Sequence, residues 1–174
     1  MVLGIAVVVA GVFLYFKLGF APVATAAPPM PFETPLAEMA LRARMTREAP
    51  SQAPIPPDET NLAAGARIYR ESCAVCHGLR LRGESETAIA RGMFPKPPQL
   101  FQGKGVTDDP VGLTYWKVKN GIRLTGMPGF SQSMTDQQLW QVSLMLAQRD
   151  KLPESMQKLL SEPAPVAGPL GTPR

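Results

Sequence analysis

Both cysteines of this 174-residue chain and its one histidine fall within five positions, as Cys73, Cys76 and His77 of the stretch ESCAVCHG. Two thiols and an imidazole at that spacing suit three chemistries. A structural zinc site takes four protein ligands, and the chain supplies three thiolate or imidazole donors here and none elsewhere, so zinc fits poorly. A redox dithiol of the thioredoxin type belongs where a strand meets a helix, whereas the residues ahead of Cys73, NLAAGARIYRES, have helical periodicity. Covalent haem attachment uses every group in the cluster: the thiols add across the two porphyrin vinyl groups, and the adjacent imidazole ligates the iron.

An iron-bound His77 carries a proton on its other ring nitrogen, which needs an acceptor, and the prolines of MFPKPPQL are candidates to present a carbonyl. The opposite axial ligand cannot be a second histidine, which leaves lysine and methionine. Two of the nine methionines have suggestive surroundings, Met127 in TGMPGF and Met93 in RGMFPKPP. Met127 lies 50 residues beyond His77, enough chain to wrap a haem edge and return on the other face. Pro128 biases Met127 toward extended backbone, and Gly126 and Gly129 let the main chain approach a porphyrin closely. Met93, 16 residues from His77, suits gap filling against haem or core, so Met127 is the expected ligand.

The elements that must position these groups are helical. Asn61 can cap a helix with Leu62, Ala66 and Tyr69 on its inward stripe. Tyr115, Trp116 and Val118 suggest a shorter helix stopped by Asn120-Gly121. Thr135 and Gln138 form a capping box that opens a helix carrying Leu139, Val142, Met145 and Leu146. No alternating apolar and polar run of useful length predicts a sheet. Trp116 and Arg123 are candidates to contact haem propionates, through an indole N–H and a guanidinium.

At the N-terminus, VLGIAVVVAGVFLYFKLGF is almost unbroken apolar sequence. Twenty helical residues span about 30 Å, so positions 1–21 are expected to form a transmembrane anchor. Twelve Val, Leu, Ile and Phe residues favour insertion by about 5 kcal/mol, against at most about 3 kcal/mol for Lys17. A cleaved signal peptide is the rival reading, on the Ala24-x-Ala26 pattern. Residues 22–57 read as a proline-rich linker with a short amphipathic helix over 34–49, capped by Thr34 and started by Pro35. Residues 153–174 form a proline-rich tail with a turn or two of helix in PESMQKLL.

Residues 58–152 resemble the class I cytochromes c. GARIYRESCAVCHG is similar to that family's first helix and attachment motif, MFPKPPQL to its proline-rich loop, NGIRLTGMPGF to its methionine loop and MTDQQLWQVSLML to its closing helix. The resemblance implies an all-α fold around one covalent haem c, with Cys73 and Cys76 as thioethers and His77 and Met127 as iron ligands. It implies a carbonyl of Pro95, Pro97 or Pro98 for His77, and a helix crossing in which small Gly65 meets the closing helix at Met145. It also implies attachment of haem outside a bacterial cytoplasmic membrane, hence an inner-membrane, single-pass protein with its haem domain in the periplasm.

The function expected from these parts is one-electron transfer, not enzyme catalysis, as a carrier or a subunit of a membrane respiratory complex. A five-coordinate haem that binds gas or peroxide, and a mainly structural subunit, are the rival readings. The expected partners are redox proteins and, through the N-terminal helix, the lipid bilayer. The formal charge of +4 permits an acidic docking partner, with Arg70, Arg80 and Arg82 placed to ring an exposed haem edge. Nucleic-acid binding has no support, because the basic residues are dispersed and no aromatic platform accompanies them.

Overall fold

The computed structural model describes residues 2–79, 87–103 and 105–162. The chain forms two compact units, Met1–Arg42 and Ala43–Arg174. Every described element is helical: α1 Val2–Lys17, α2 Glu33–Glu48, α3 Glu59–Ser72, α4 Ala74–His77, α5 Ala88–Arg91, α6 Val111–Asn120, α7 Asp136–Ala147 and α8 Glu154–Ser161, with a 3₁₀ turn at Arg149–Lys151 between the last two.

The first helix corrects the expected transmembrane anchor. Gly19 takes φ +79° and closes α1 with two reversed bonds, Gly19 N–H to the Phe16 carbonyl (3.1 Å) and Phe20 N–H to the Tyr15 carbonyl (3.1 Å). That stop leaves 16 helical residues, about 24 Å against the roughly 30 Å of a hydrocarbon core. No helix among the described residues is long and apolar enough to cross a membrane. The bilayer contact expected through this helix is withdrawn with it.

The second unit is built on α3 and α7. Leu62, Ala66 and Tyr69 of α3 and Leu139, Val142, Met145 and Leu146 of α7 are buried together, each large apolar side chain contributing about 1.5–3 kcal/mol. The Thr135–Gln138 capping box that opens α7 is present as expected. The cap of α3 differs from expectation: Asp58, not Asn61, takes the position, accepting from the Asn61 N–H at 2.8 Å. Asn61 is buried instead, donating Nδ2 to the Pro56 carbonyl (3.0 Å) and accepting from Gln141 Nε2 on α7 (3.0 Å). Likewise α2 begins at Glu33, whose carboxylate accepts from the Met30 N–H at 2.8 Å, so Thr34 and Pro35 lie one turn-position inside it.

Helix α6 leans on α7 through Tyr115 stacked on Trp140, with ring centroids 3.9 Å apart and planes at 11°. The Tyr115 hydroxyl and Lys119 Nζ both reach Asp136 in the first turn of α7, and they hold its carboxyl below the usual range. Helix α8 closes the unit with Met156 and Leu160 in the core. Before α3, the proline-rich stretch packs on the same unit: Ala53 and Ile55 lie against the core and the Pro50 carbonyl covers Gly112 of α6.

Candidate functional site

Cys73 caps the single turn α4 that carries Cys76 and His77, and the His77 and Cys76 N–H groups return to the Cys73 carbonyl at 2.9 and 3.1 Å. Positions three and four apart lie on one side of a helix, so the turn brings the two thiols and the imidazole onto neighbouring ground. Gly78, at φ +73°, ends the turn, and a Cβ there would collide with the Gln99 side chain. Both cysteines are free thiols, and Cys73 is packed against the core. Burial, then the neighbouring Cys76, pushes the Cys73 thiol up to about 12.

Three consecutive residues of the proline-rich loop hold this turn from outside. His77 Nδ1 is 2.8 Å from the Pro98 carbonyl, which settles the choice among three prolines. A carbonyl only accepts, so Nδ1 carries the proton and Nε2 keeps its lone pair. Burial lowers the His77 pKa against the opposing pull of that bond. Gln99 Nε2 donates to the Cys76 carbonyl at 3.1 Å, and the Leu100 N–H to the His77 carbonyl at 3.2 Å.

From inside, Tyr69 of α3 donates its hydroxyl to the Gly78 carbonyl (2.7 Å) and lies 3.1 Å from that of His77. The ring is fully buried and meets Phe101 edge-on at 5.2 Å. Burial, then Cys73, raises its pKa, so it remains a donor. By its spacing Tyr69 belongs to the apolar stripe of α3; a tyrosine on a buried face needs a partner for its hydroxyl, and that is the signal in the sequence. Tyr69→Phe is expected to leave the fold intact and lower unfolding stability by about 1–2 kcal/mol, measured by denaturant titration.

The methionine loop is tied to the end of α6. Gly121 stops that helix at φ +67°, and the Ile122 N–H donates to the Met127 carbonyl at 3.2 Å. The Met127 N–H donates to Thr125 Oγ1 (3.1 Å), and the Phe130 N–H to the Val118 carbonyl (3.0 Å). Met127 itself is half-buried against the core cluster that also takes in Cys73. The loop glycines make close approaches, but to the chain itself. A Cβ on Gly129 would lie 2.7 Å from the Asn120 carbonyl oxygen, and one on Gly126 would strike the Met93 methyl. Met93 therefore covers the neighbour of Met127 as a packing group.

Trp116 donates its indole N–H to Glu48 at 3.1 Å. Arg44, then Trp116, holds the Glu48 carboxyl below its ordinary range. Arg123 is exposed on the methionine loop. Arg70, expected beside a haem edge, is largely covered and pairs with Glu162 at 3.5 Å, while Arg80 and Arg82 lie outside the described residues.

The donor set fits a haem c: two free thiols and an imidazole with Nδ1 already engaged around one turn, and a thioether on a tethered loop against the same core. Residues 60–144 match the family model described as cytochrome c oxidase, cbb3-type, subunit III, a little under half of the chain. Among solved structures the chain is similar to the reducing HAO-like protein complex of Kuenenia stuttgartiensis, at 25% identity and a TM-score of 0.47, over 57% of this chain and 48% of that one. It thus spans about half the length of that relative. No curated protein matches the chain. Residues 60–144, in the second unit, therefore match a c-type cytochrome domain, a kind of domain that carries covalently attached haem.

Proposed function

We propose that this c-type cytochrome domain binds one haem c through Cys73 and Cys76, holds its iron between His77 and Met127, and passes single electrons between protein partners in a respiratory assembly. The observation that carries the reading is the bond between His77 Nδ1 and the Pro98 carbonyl. It fixes the tautomer that leaves Nε2 for iron and raises the basicity of the ring. The haem, when bound, supplies the centre that takes up and gives back the electron. The chain's own residues hold the ligands still between the two states: Pro98, Gln99 and Leu100 brace the attachment turn, Tyr69 supports it from the core, and Thr125 and Ile122 restrain Met127. Held by the His77 imidazole and the Met127 thioether, the iron would have a higher potential than one held by two imidazoles.

The family's description as an oxidase subunit supports a place in a larger complex. Haem of this type is attached outside the bacterial cytoplasmic membrane, so a haem domain on that side belongs to the same proposal. The test is to denature the protein and extract it with acidified organic solvent. The colour is expected to stay with the polypeptide, at one haem per chain by pyridine haemochrome. Pigment that leaves with the solvent, or any other ratio, overturns the reading. Mild isolation is expected to bring co-migrating subunits; recovery solely as a free monomer would refute the assembly.

A further inference from the structure

The guanidinium of Arg149 is buried, its side chain 4% exposed, in the 3₁₀ turn that follows α7. Its Nη1 donates to the Leu100 carbonyl and its Nη2 to the Gly103 carbonyl. Gly105, at φ +56°, continues the wrap: a Cβ there would lie 2.5 Å from Nη1. The Asp150 carboxylate lies 3.3 Å from Nε but is 62% exposed. Burying a guanidinium is unfavourable unless its N–H groups are well used, and an aliphatic side chain would fill the space without that penalty. What an aliphatic residue lacks is the fork that fixes two carbonyls at once.

Those carbonyls belong to the loop that braces His77. Leu100 accepts from Arg149 on one side of its residue and donates its N–H to the His77 carbonyl at 3.2 Å on the other. Pro98, two positions earlier, is the acceptor for His77 Nδ1 at 2.8 Å. We infer that Arg149 is a positioning residue for the axial histidine: by clamping Leu100 and Gly103 it holds the Pro98 carbonyl on Nδ1, and through that bond sets the electron density on the imidazole. This rests on the reading of His77 as the iron's ligand.

The test compares the haem-loaded protein with Arg149→Lys, which keeps the charge and loses the fork. In the ferrous form, exchange of the His77 Nδ1 proton is expected to quicken about tenfold. With a weaker bond to Pro98 the ring donates less to iron, ferric iron is less favoured, and the midpoint potential rises, each tenfold change in the ferrous-to-ferric ratio being about 59 mV. A variant with a lower unfolding midpoint but unchanged exchange and potential would show Arg149 to be packing alone and overturn the inference. If Arg149→Lys yields no haem-loaded protein, exchange in the unsubstituted protein decides. The His77 Nδ1 proton, the Leu100 amide and the Arg149 guanidinium are expected to open as one unit; independent rates refute the linkage. Haem content of the unsubstituted protein is measured first, since a colourless protein defeats the function reading, whereas a coloured one with an indifferent Arg149→Lys defeats this inference alone.

Discussion

Gly65→Val is expected to abolish recovery of folded, haem-loaded protein. Gly65 lies where α3 crosses α7, and even the first carbon of a side chain would strike the Gln141 carbonyl oxygen. That carbon would lie 2.7 Å from the carbonyl carbon and 2.8 Å from Met145 Cβ. Two of those three contacts are backbone, which cannot rotate away. Alanine normally gains up to about 1 kcal/mol over glycine inside a helix. Here the helices must separate to admit it, and overpacking of a core costs typically about 1–3 kcal/mol, more when backbone has to move. The clash wins, so Gly65→Ala is expected to lower stability and the branched valine to exceed what a domain of this size can lose. Guanidinium titrations check the sign: a Gly65→Ala protein as stable as the parent would mean that α3 and α7 do not meet there.

That crossing was legible only through the resemblance, which sets a small residue of the first helix against the closing helix; no pattern within either helix pairs Gly65 with Met145. The attachment turn was legible for a stronger reason, since two thiols and an imidazole in five positions have few chemical uses. What holds the turn was harder to see. Choosing Pro98 over Pro95 and Pro97 requires the path of a loop, which no periodicity encodes. Asn61 reads as a cap by type, yet Asp58 competes for the role, and only the approach of Gln141 from α7 shows why an amide is worth burying at 61. Arg149 offers no local signal: an arginine just past a helix end reads as a solvated charge, and its two carbonyl partners lie 46 and 49 residues away. The N-terminal helix failed differently. Composition predicted a span, but Gly19 terminates the helix by backbone geometry before the length is reached.

Met127→Ala is expected to change the iron's chemistry while leaving the fold in place. The thioether is the one group in the proposed ligand set that is not held by α4, so its removal leaves the attachment turn, Pro98 and Tyr69 untouched. The loop also survives, because its anchors are backbone: Ile122 N–H on the carbonyl of residue 127 at 3.2 Å and Phe130 N–H on the Val118 carbonyl at 3.0 Å. With the sixth position open, the ferrous protein is expected to bind carbon monoxide at neutral pH, which the parent with Met127 on iron does not. The ferric absorption of an iron–thioether bond should vanish. Losing a ligand that favours ferrous iron lowers the potential, by on the order of 0.1–0.3 V within the roughly 0.8 V that axial ligands command. Met93 lies against Gly126, beside the vacated position, and a second variant, Met93→Ala, separates the two thioethers. It should keep the iron–thioether band and bind no carbon monoxide. If instead Met93→Ala loses the band and Met127→Ala keeps it, the ligand is the methionine of the proline-rich loop. A parent protein that lacks the band and takes up carbon monoxide at neutral pH would make the haem five-coordinate, and ligand binding rather than electron transfer would then be its chemistry.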